Sequence, residues 1–143
     1  MLTPPTVAVI GGGQLARMMQ ESAIALGINL RALVEADDGS TGQATVDKAV
    51  GAPCDLDAVR ALIDGADVLT FEHEHIPATT MDEAAHVVSV QPPASALLYA
   101  QDKLEMRARL SEMGIPCPAW ARVDNAAELE RFGAVIGWPL IVK

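Results

Sequence analysis

The stretch Val7-Ala8-Val9-Ile10-Gly11-Gly12-Gly13-Gln14-Leu15-Ala16-Arg17-Met18-Met19 decides the fold class. Its first four residues are continuously apolar, as expected of a strand covered on both faces. Three glycines then break the run. Leu15, Met18, Met19, Ala23 and Leu26 recur at helical spacing, which predicts a helix over Gln14–Leu26 closed by Gly27. A strand, a tight glycine turn and a helix make the opening half of a βαβ unit.

Working outward, strand-like and helix-like segments alternate. Ile28 to Val34 reads as a second strand ending in the acids Glu35, Asp37 and Asp38. Lys48 to Val50 reads as a short third strand. Asp55 is placed to cap a helix that buries Leu56, Val59, Leu62 and Ile63, with Gly65 ending it. Val68 to Phe71 is the next strand, and a helix starts at Thr79 or Thr80 and runs through His86. Val87 to Val90 is a further strand, stopped by Pro92 and Pro93. This alternation predicts right-handed βαβ units: an α/β, Rossmann-like parallel sheet with helices on both faces.

The pattern changes near residues 93–103, and a domain boundary is expected there, with one domain over 1–98 and the start of a second over 99–143. Ala94 to Met113 reads as one or two charged amphipathic helices. Ala119 to Val123 reads as a short strand, and Asp124 as the cap of a helix running to about Ile136. Gly137 to Lys143 reads as the beginning of another strand. A chain ending inside a strand is expected to be a fragment, because a strand needs a partner for its hydrogen bonds.

Composition narrows the function classes. The chain of 143 residues has a formal net charge of −9 and is 50% hydrophobic, with only 3% aromatic residues. The core must therefore come from Val, Ile, Leu, Ala and Met. The acidic balance argues against nucleic acid as a partner, because phosphate contacts need clustered Lys and Arg. No stretch approaches the roughly 20 apolar residues that span a bilayer, and no signal peptide is visible. Cys54 and Cys117 form no CxxC or Cys/His cluster, which suits two reduced thiols in a cytoplasmic protein.

Four segments are candidates for chemistry. Gly11, Gly13 and Ala16 fit a G-x-G-x-x-A turn, which lets backbone N–H groups approach an anion, and Glu35 lies where it could meet a ribose. Alone, that points to a dinucleotide, but Gln14 and Leu15 place a polar side chain at the mouth of the turn. The second segment is Thr70-Phe71-Glu72-His73-Glu74-His75-Ile76-Pro77. Ligands of open α/β sheets bind beyond the carboxyl ends of strands, where this segment and the turn both fall. Strand alternation would send Glu72 and Glu74 to one side and His73 and His75 to the other. A carboxylate there suits a ligand amine or hydroxyl. No further ligands lie near the two histidines in sequence, so no metal site is expected. The third segment, Gln101-Asp102-Lys103, sits in a charged helix. The fourth, Trp138-Pro139-Leu140-Ile141-Val142-Lys143, ends an apolar run in a lysine that can meet a phosphate.

Taken in order, these segments resemble those of the 5-(carboxyamino)imidazole ribonucleotide synthase family of ATP-grasp enzymes. Residues 11–19 resemble its opening Gly-x-Gly-Gln-Leu-(Gly/Ala)-Arg-Met motif, and residues 70–77 its Thr-Phe-Glu-x-Glu-x-(Val/Ile)-Pro segment. Residues 101–103 and 138–143 look like elements found across the ATP-grasp superfamily. The resemblance covers essentially the whole chain. It implies a pre-ATP-grasp domain followed by the first elements of an ATP-grasp domain. The reaction it implies is ATP- and bicarbonate-dependent carboxylation of 5-aminoimidazole ribonucleotide through carboxyphosphate, assisted by Mg²⁺. It implies that Gln14, Leu15, Glu72 and, more weakly, Glu74 bind the ribonucleotide. It implies that Lys103 and Lys143 reach ATP, and that a cytoplasmic homodimer is the working form.

Relatives continue past the Lys143 position to a phosphate-covering loop and acidic Mg²⁺ ligands. A polypeptide of these residues alone is therefore expected to be inactive. A formate-dependent glycinamide ribonucleotide transformylase and a biotin carboxylase are the nearest rivals, and Gln14 and Phe71 favour the synthase. An NAD-binding domain of a dehydrogenase and a non-catalytic binding or dimerisation module are the alternatives from other classes.

Overall fold

The computed structural model describes residues 3–143. The chain divides into two compact units, Met1–Leu97 and Leu98–Lys143.

The first unit is built on five parallel strands: β1 (Thr6–Ile10), β2 (Asn29–Val34), β3 (Asp47–Val50), β4 (Val68–Phe71) and β5 (Ser89–Val90). Their order across the sheet is β3-β2-β1-β4-β5. The chain winds outward from β1 to β3 and then returns to lay β4 on β1's other side. The carboxyl ends of β1 and β4 therefore form the topological switch point, where open α/β sheets bind ligands.

Alternation along the strands divides the core in two. Ala8, Ile10, Leu33 and Leu69 face the helices α2 (Leu56–Ile63) and α3 (Ala78–Ala85), against Val59, Leu62, Met81 and Ala84. Val9, Ala32 and Val34 face α1 (Gln14–Leu26), against its Ala16 and Ala23. Small alanines on the inner face of α1 let it lie close to β1 and β2. The helix ends as expected at Gly27, whose φ of 67° is the left-handed conformation glycine adopts most readily. The Asp55 carboxylate accepts hydrogen bonds from Asp57 N (3.0 Å) and Ala58 N (3.1 Å), the expected cap of α2. Arg31 on β2 closes the other end of that helix, donating to Leu62 O (3.1 Å) and Asp64 O (2.7 Å).

Several boundaries in this unit differ from expectation by a residue or two, and two of them have a clear hydrogen-bond cause. α3 begins at Ala78 rather than Thr79 or Thr80, because the Pro77 carbonyl already accepts from Thr80 N (3.0 Å) and Met81 N (3.3 Å). β5 is only Ser89–Val90, because Val87 N and Val88 N both bond back to Ala84 O at 3.0 Å and finish α3 instead.

The second unit holds most of α4 (Ser95–Gln101), with α5 (Lys103–Glu112) and α6 (Ala126–Ile136). The charged stretch is thus two helices, split where Asp102 caps α5 through Leu104 N and Glu105 N. α6 is capped by Asn125, not Asp124. Asn125 accepts from Glu128 N (3.0 Å) while Glu128 reaches back to Asp124 N (2.9 Å), a reciprocal capping arrangement. The expected strands at Ala119–Val123 and Gly137–Lys143 do not form. Neither segment has a strand beside it among the described residues, and Pro116, Pro118 and Pro139 remove donors in or next to them. Gly133 is explained by Trp138: a Cβ there would fall 2.8 Å from the indole Nε1.

Leu69 is fully buried at the centre of β4. Leu69→Ala is expected to cost about 2–5 kcal/mol, read from urea unfolding. Val50→Ala, on the exposed end of the edge strand β3, should change stability by less than about 1 kcal/mol.

Candidate functional site

The site begins with a helix that has no cap of its own. Gly13 occupies the N-cap of α1 and offers no side chain to the orphan N–H groups of the first turn. The cap comes from β4. Ile10 pairs with Phe71, so Gly11 and Glu72 leave the sheet side by side, and Glu72 N donates to Ile10 O at 3.2 Å. Alternation along β4 turns Glu72 toward the α1 face. Its Oε1 accepts from Gly13 N at 2.7 Å and its Oε2 from Ala16 N at 2.5 Å. These are charge-assisted bonds at the positive end of a helix dipole.

The glycines make room for this carboxylate. A Cβ on Gly11, where φ is +147°, would lie 2.6 Å from Glu72 Cδ, and one on Gly13 would lie 2.7 Å from Oε1. The N–H groups that a dinucleotide pyrophosphate would need are therefore already bonded to an anion of the same chain. The anion expected at the glycine turn is Glu72.

A loop over residues 35–46 connects β2 to β3 and straps the turn. Thr41, fully buried, donates from its backbone N to Gly12 O (3.1 Å) and from Oγ1 to Gly13 O (2.7 Å). Ser40 Oγ donates to Gln14 Oε1 (2.8 Å), and Arg17 donates to the Ser40 carbonyl (3.0 Å). Lys48 holds the loop from below, paired with the Asp37 carboxylate at 3.0 Å and bonded to Gly42 O. Sequence reading gave Arg17, a motif residue, no role and missed Ser40, Thr41 and Lys48. The only signal was a cluster of turn-forming residues, Asp37 to Gly42, which marks a loop but not what it folds against. Gln14 and Leu15 are exposed on the first turn of α1, next to the strap.

β4 ends at Phe71 and residues 72–74 form a bend, yet the two histidines keep the common side that alternation predicts. The bend is pinned by Ile76, which is buried and donates from N to Glu74 O (2.9 Å). His73 and His75 end on the same side, their rings 5.8 Å apart. His75 N donates to His73 Nδ1 (3.2 Å), and His73 Nε2 lies 3.7 Å from Glu35 Oε1. Glu74 is half-buried in the same bend.

The second unit carries the two lysines. Lys103 is the first residue of α5, half-buried, with its ammonium donating to the Ala100 carbonyl. Lys143 is exposed in the irregular segment after α6.

The sequence that folds this way is matched by a known domain family. The family described as the ribonucleotide synthetase preATP-grasp domain matches residues 5–101. The chain belongs to this family. Among curated proteins, it is 46% identical over 97% of its length to the N5-carboxyaminoimidazole ribonucleotide synthase of Mycobacterium tuberculosis, covering 33% of that protein. It is 42% identical over 97% of its length to that of Corynebacterium ammoniagenes, covering 34%. Among solved structures, it matches an N5-carboxyaminoimidazole synthase from Aspergillus clavatus in complex with ADP and 5-aminoimidazole ribonucleotide. That match has a TM-score of 0.81 and 34% identity, over 97% of this chain and 38% of that one. The Thermus thermophilus synthetase matches with a TM-score of 0.82 and 30% identity, over 93% of this chain and 37% of that one. The chain thus spans about a third of the length of the curated relatives it matches. The preATP-grasp assignment agrees with the Rossmann-like sheet.

Two substitutions test the internal cap. Glu72→Gln replaces an acceptor oxygen with an amide donor and should destabilise the first unit by about 1–3 kcal/mol, seen as a lower midpoint in urea. Gly11→Ala forces an alanine into a strained φ and against Glu72, and should cost a similar amount, about 1–3 kcal/mol.

Proposed function

We propose that this chain is part of an ATP-dependent ligase that carboxylates 5-aminoimidazole ribonucleotide to the 5-(carboxyamino) product in purine biosynthesis. One observation carries the reading: a carboxylate held by two backbone N–H groups at the switch point of a ribonucleotide synthetase preATP-grasp domain. The relatives' names and the Aspergillus complex with ADP and 5-aminoimidazole ribonucleotide support the substrate pair.

The chemistry requires an activated carboxyl donor, since bicarbonate is a poor electrophile. Phosphoryl transfer from ATP gives carboxyphosphate. Its carboxyl group, or the carbon dioxide it releases, is captured by the exocyclic amine of the ribonucleotide, leaving ADP and phosphate. Glu72 is proposed to accept a hydrogen bond from that amine. Each carboxylate oxygen spends only one lone pair on the helix, so acceptor capacity remains. Fixing Glu72 through backbone donors orients the acceptor before the ligand arrives. Gln14 and Leu15 are proposed to contact the ribonucleotide from the first turn of α1, and Glu74 from the bend.

Lys103 and Lys143 are proposed to meet ATP phosphates. The Lys103 ammonium, already placed by Ala100 O, has two further donors to offer. Mg²⁺ is proposed to assist by neutralising charge on the transferring phosphoryl group, held by acidic residues that in relatives follow the Lys143 position; among the described residues no three His, Cys, Asp or Glu side chains converge on a cation site. A cytoplasmic homodimer, with 1–98 and 99–143 as parts of separate domains, completes the proposal.

The test is ADP release by the full-length protein. Release that requires both 5-aminoimidazole ribonucleotide and bicarbonate is expected; release indifferent to the ribonucleotide would overturn the reading. Lys143→Ala should raise the KM for ATP about ten-fold or more, the loss expected for one hydrogen bond to a charged group.

A further inference from the structure

β2 and β4 flank β1, and the residues that follow them meet over its carboxyl end. Glu35 follows β2 and lies over Gly12, where any Cβ would collide with the Glu35 carboxylate. His73, in the bend after β4, brings Nε2 to 3.7 Å from Glu35 Oε1. The tautomer of His73 is set by its other nitrogen. Nδ1 accepts the His75 backbone N–H, so the proton of the neutral ring is on Nε2, the atom facing Glu35. The pair is therefore a donor beside an acceptor, but 3.7 Å is too long for a hydrogen bond between them. Both side chains reach solvent, His73 at 23% and Glu35 at 55% exposure.

An oxygen about 2.8 Å from each atom closes a triangle over that edge. The oxygen must accept from Nε2–H and donate to Oε1. A phosphate oxygen cannot donate and is repelled by Glu35, and an ammonium cannot accept. A hydroxyl does both, as does the water that a ligand hydroxyl would displace. We propose that Glu35 and His73 form a hydroxyl-reading site that takes one ribose hydroxyl of the ribonucleotide. This inference rests on the proposed function for the identity of the ligand, and it adds which part of that ligand the pair reads. Sequence position alone offers Glu35 to the ribose of a dinucleotide and gives His73 no role; the pairing of the two comes from the structure. Glu72, on the α1 face, is left to the amine.

The test compares KM for 5-aminoimidazole ribonucleotide with KM for its 2′-deoxy and 3′-deoxy forms, using ADP release by the full-length protein. In the wild type, loss of one of the two hydroxyls is expected to raise KM about ten-fold or more, as for a hydrogen bond to a charged group. In Glu35→Ala and in His73→Phe that ratio should fall below about three-fold, and His73→Gln, which keeps a donor, should restore part of it. Each ratio is taken within one protein, so a loss of stability in a variant does not imitate the result. Wild-type turnover without discrimination, or discrimination that survives both variants, overturns the site and leaves the proposed function standing. Absence of any ribonucleotide-dependent ADP release in the wild type overturns both.

Discussion

The structure of the first unit depends on one constraint: the first turn of α1 has orphan N–H groups and no side chain at its N-cap. Serine, threonine or aspartate at position 13 would cap the helix locally. Glycine stands there instead, and the cap comes from Glu72, 59 residues away along the chain. That single contact couples the helix after β1 to the bend after β4. It also explains why Gly11 and Gly13 are both needed, since a side chain at either would occupy the volume of the carboxylate. The strap depends on the same turn, because Thr41 bonds to Gly12 O and Gly13 O only when those carbonyls are held in place.

Much of this fold was legible in the sequence. A continuous apolar run marked β1, and helical spacing with Gly27 marked α1 at both ends. Asp55 gave the start of α2 because a cap residue acts on donors two and three positions away. These are local rules, and local rules are readable in one sequence. The misplaced ends were settled by competition between neighbours. At α3 a proline carbonyl took the first helical donors, and at β5 two valine N–H groups went to Ala84 rather than to the sheet. Strands at 119–123 and 137–143 failed for a non-local reason: an extended segment is a strand only beside another, and no partner is present among the described residues.

The candidate residues were legible in motif order, but their wiring was not. Motif order singled out Gln14, Leu15, Glu72 and Glu74, and the first unit brings all four to one end of its sheet. Spacing could not show that Glu72 bonds the glycine turn, because that follows from the register of β1 against β4. Nor could it show that β4 stops at Phe71. The bend that begins at Glu72 leaves His73 and His75 on one side, as alternation predicts, but the approach of His73 to Glu35 follows from the fold. Ser40, Thr41 and Lys48 carry no motif, Arg17 carries one without a stated role, and only the folded strap shows what they hold.

The glycine pattern has a wider consequence for reading such turns. G-x-G-x-x-A after a strand means that something must come close to the backbone at a helix N-terminus; it does not say what. In a dinucleotide site that group is a pyrophosphate supplied by the ligand. Here it is a carboxylate supplied by β4, and the electrostatics of the crevice reverse. An empty helix N-terminus attracts anions, whereas one already neutralised by Glu72 presents a carboxylate edge to whatever enters. Glu35 adds a second carboxylate over Gly12. A ligand end lodged between them must bring hydrogen-bond donors, such as an amine or hydroxyls, and must keep its own phosphate elsewhere. The internal cap thus disfavours a pyrophosphate at this turn, and the proposed substrate agrees with that demand, since it carries an amine at one end and its phosphate at the other.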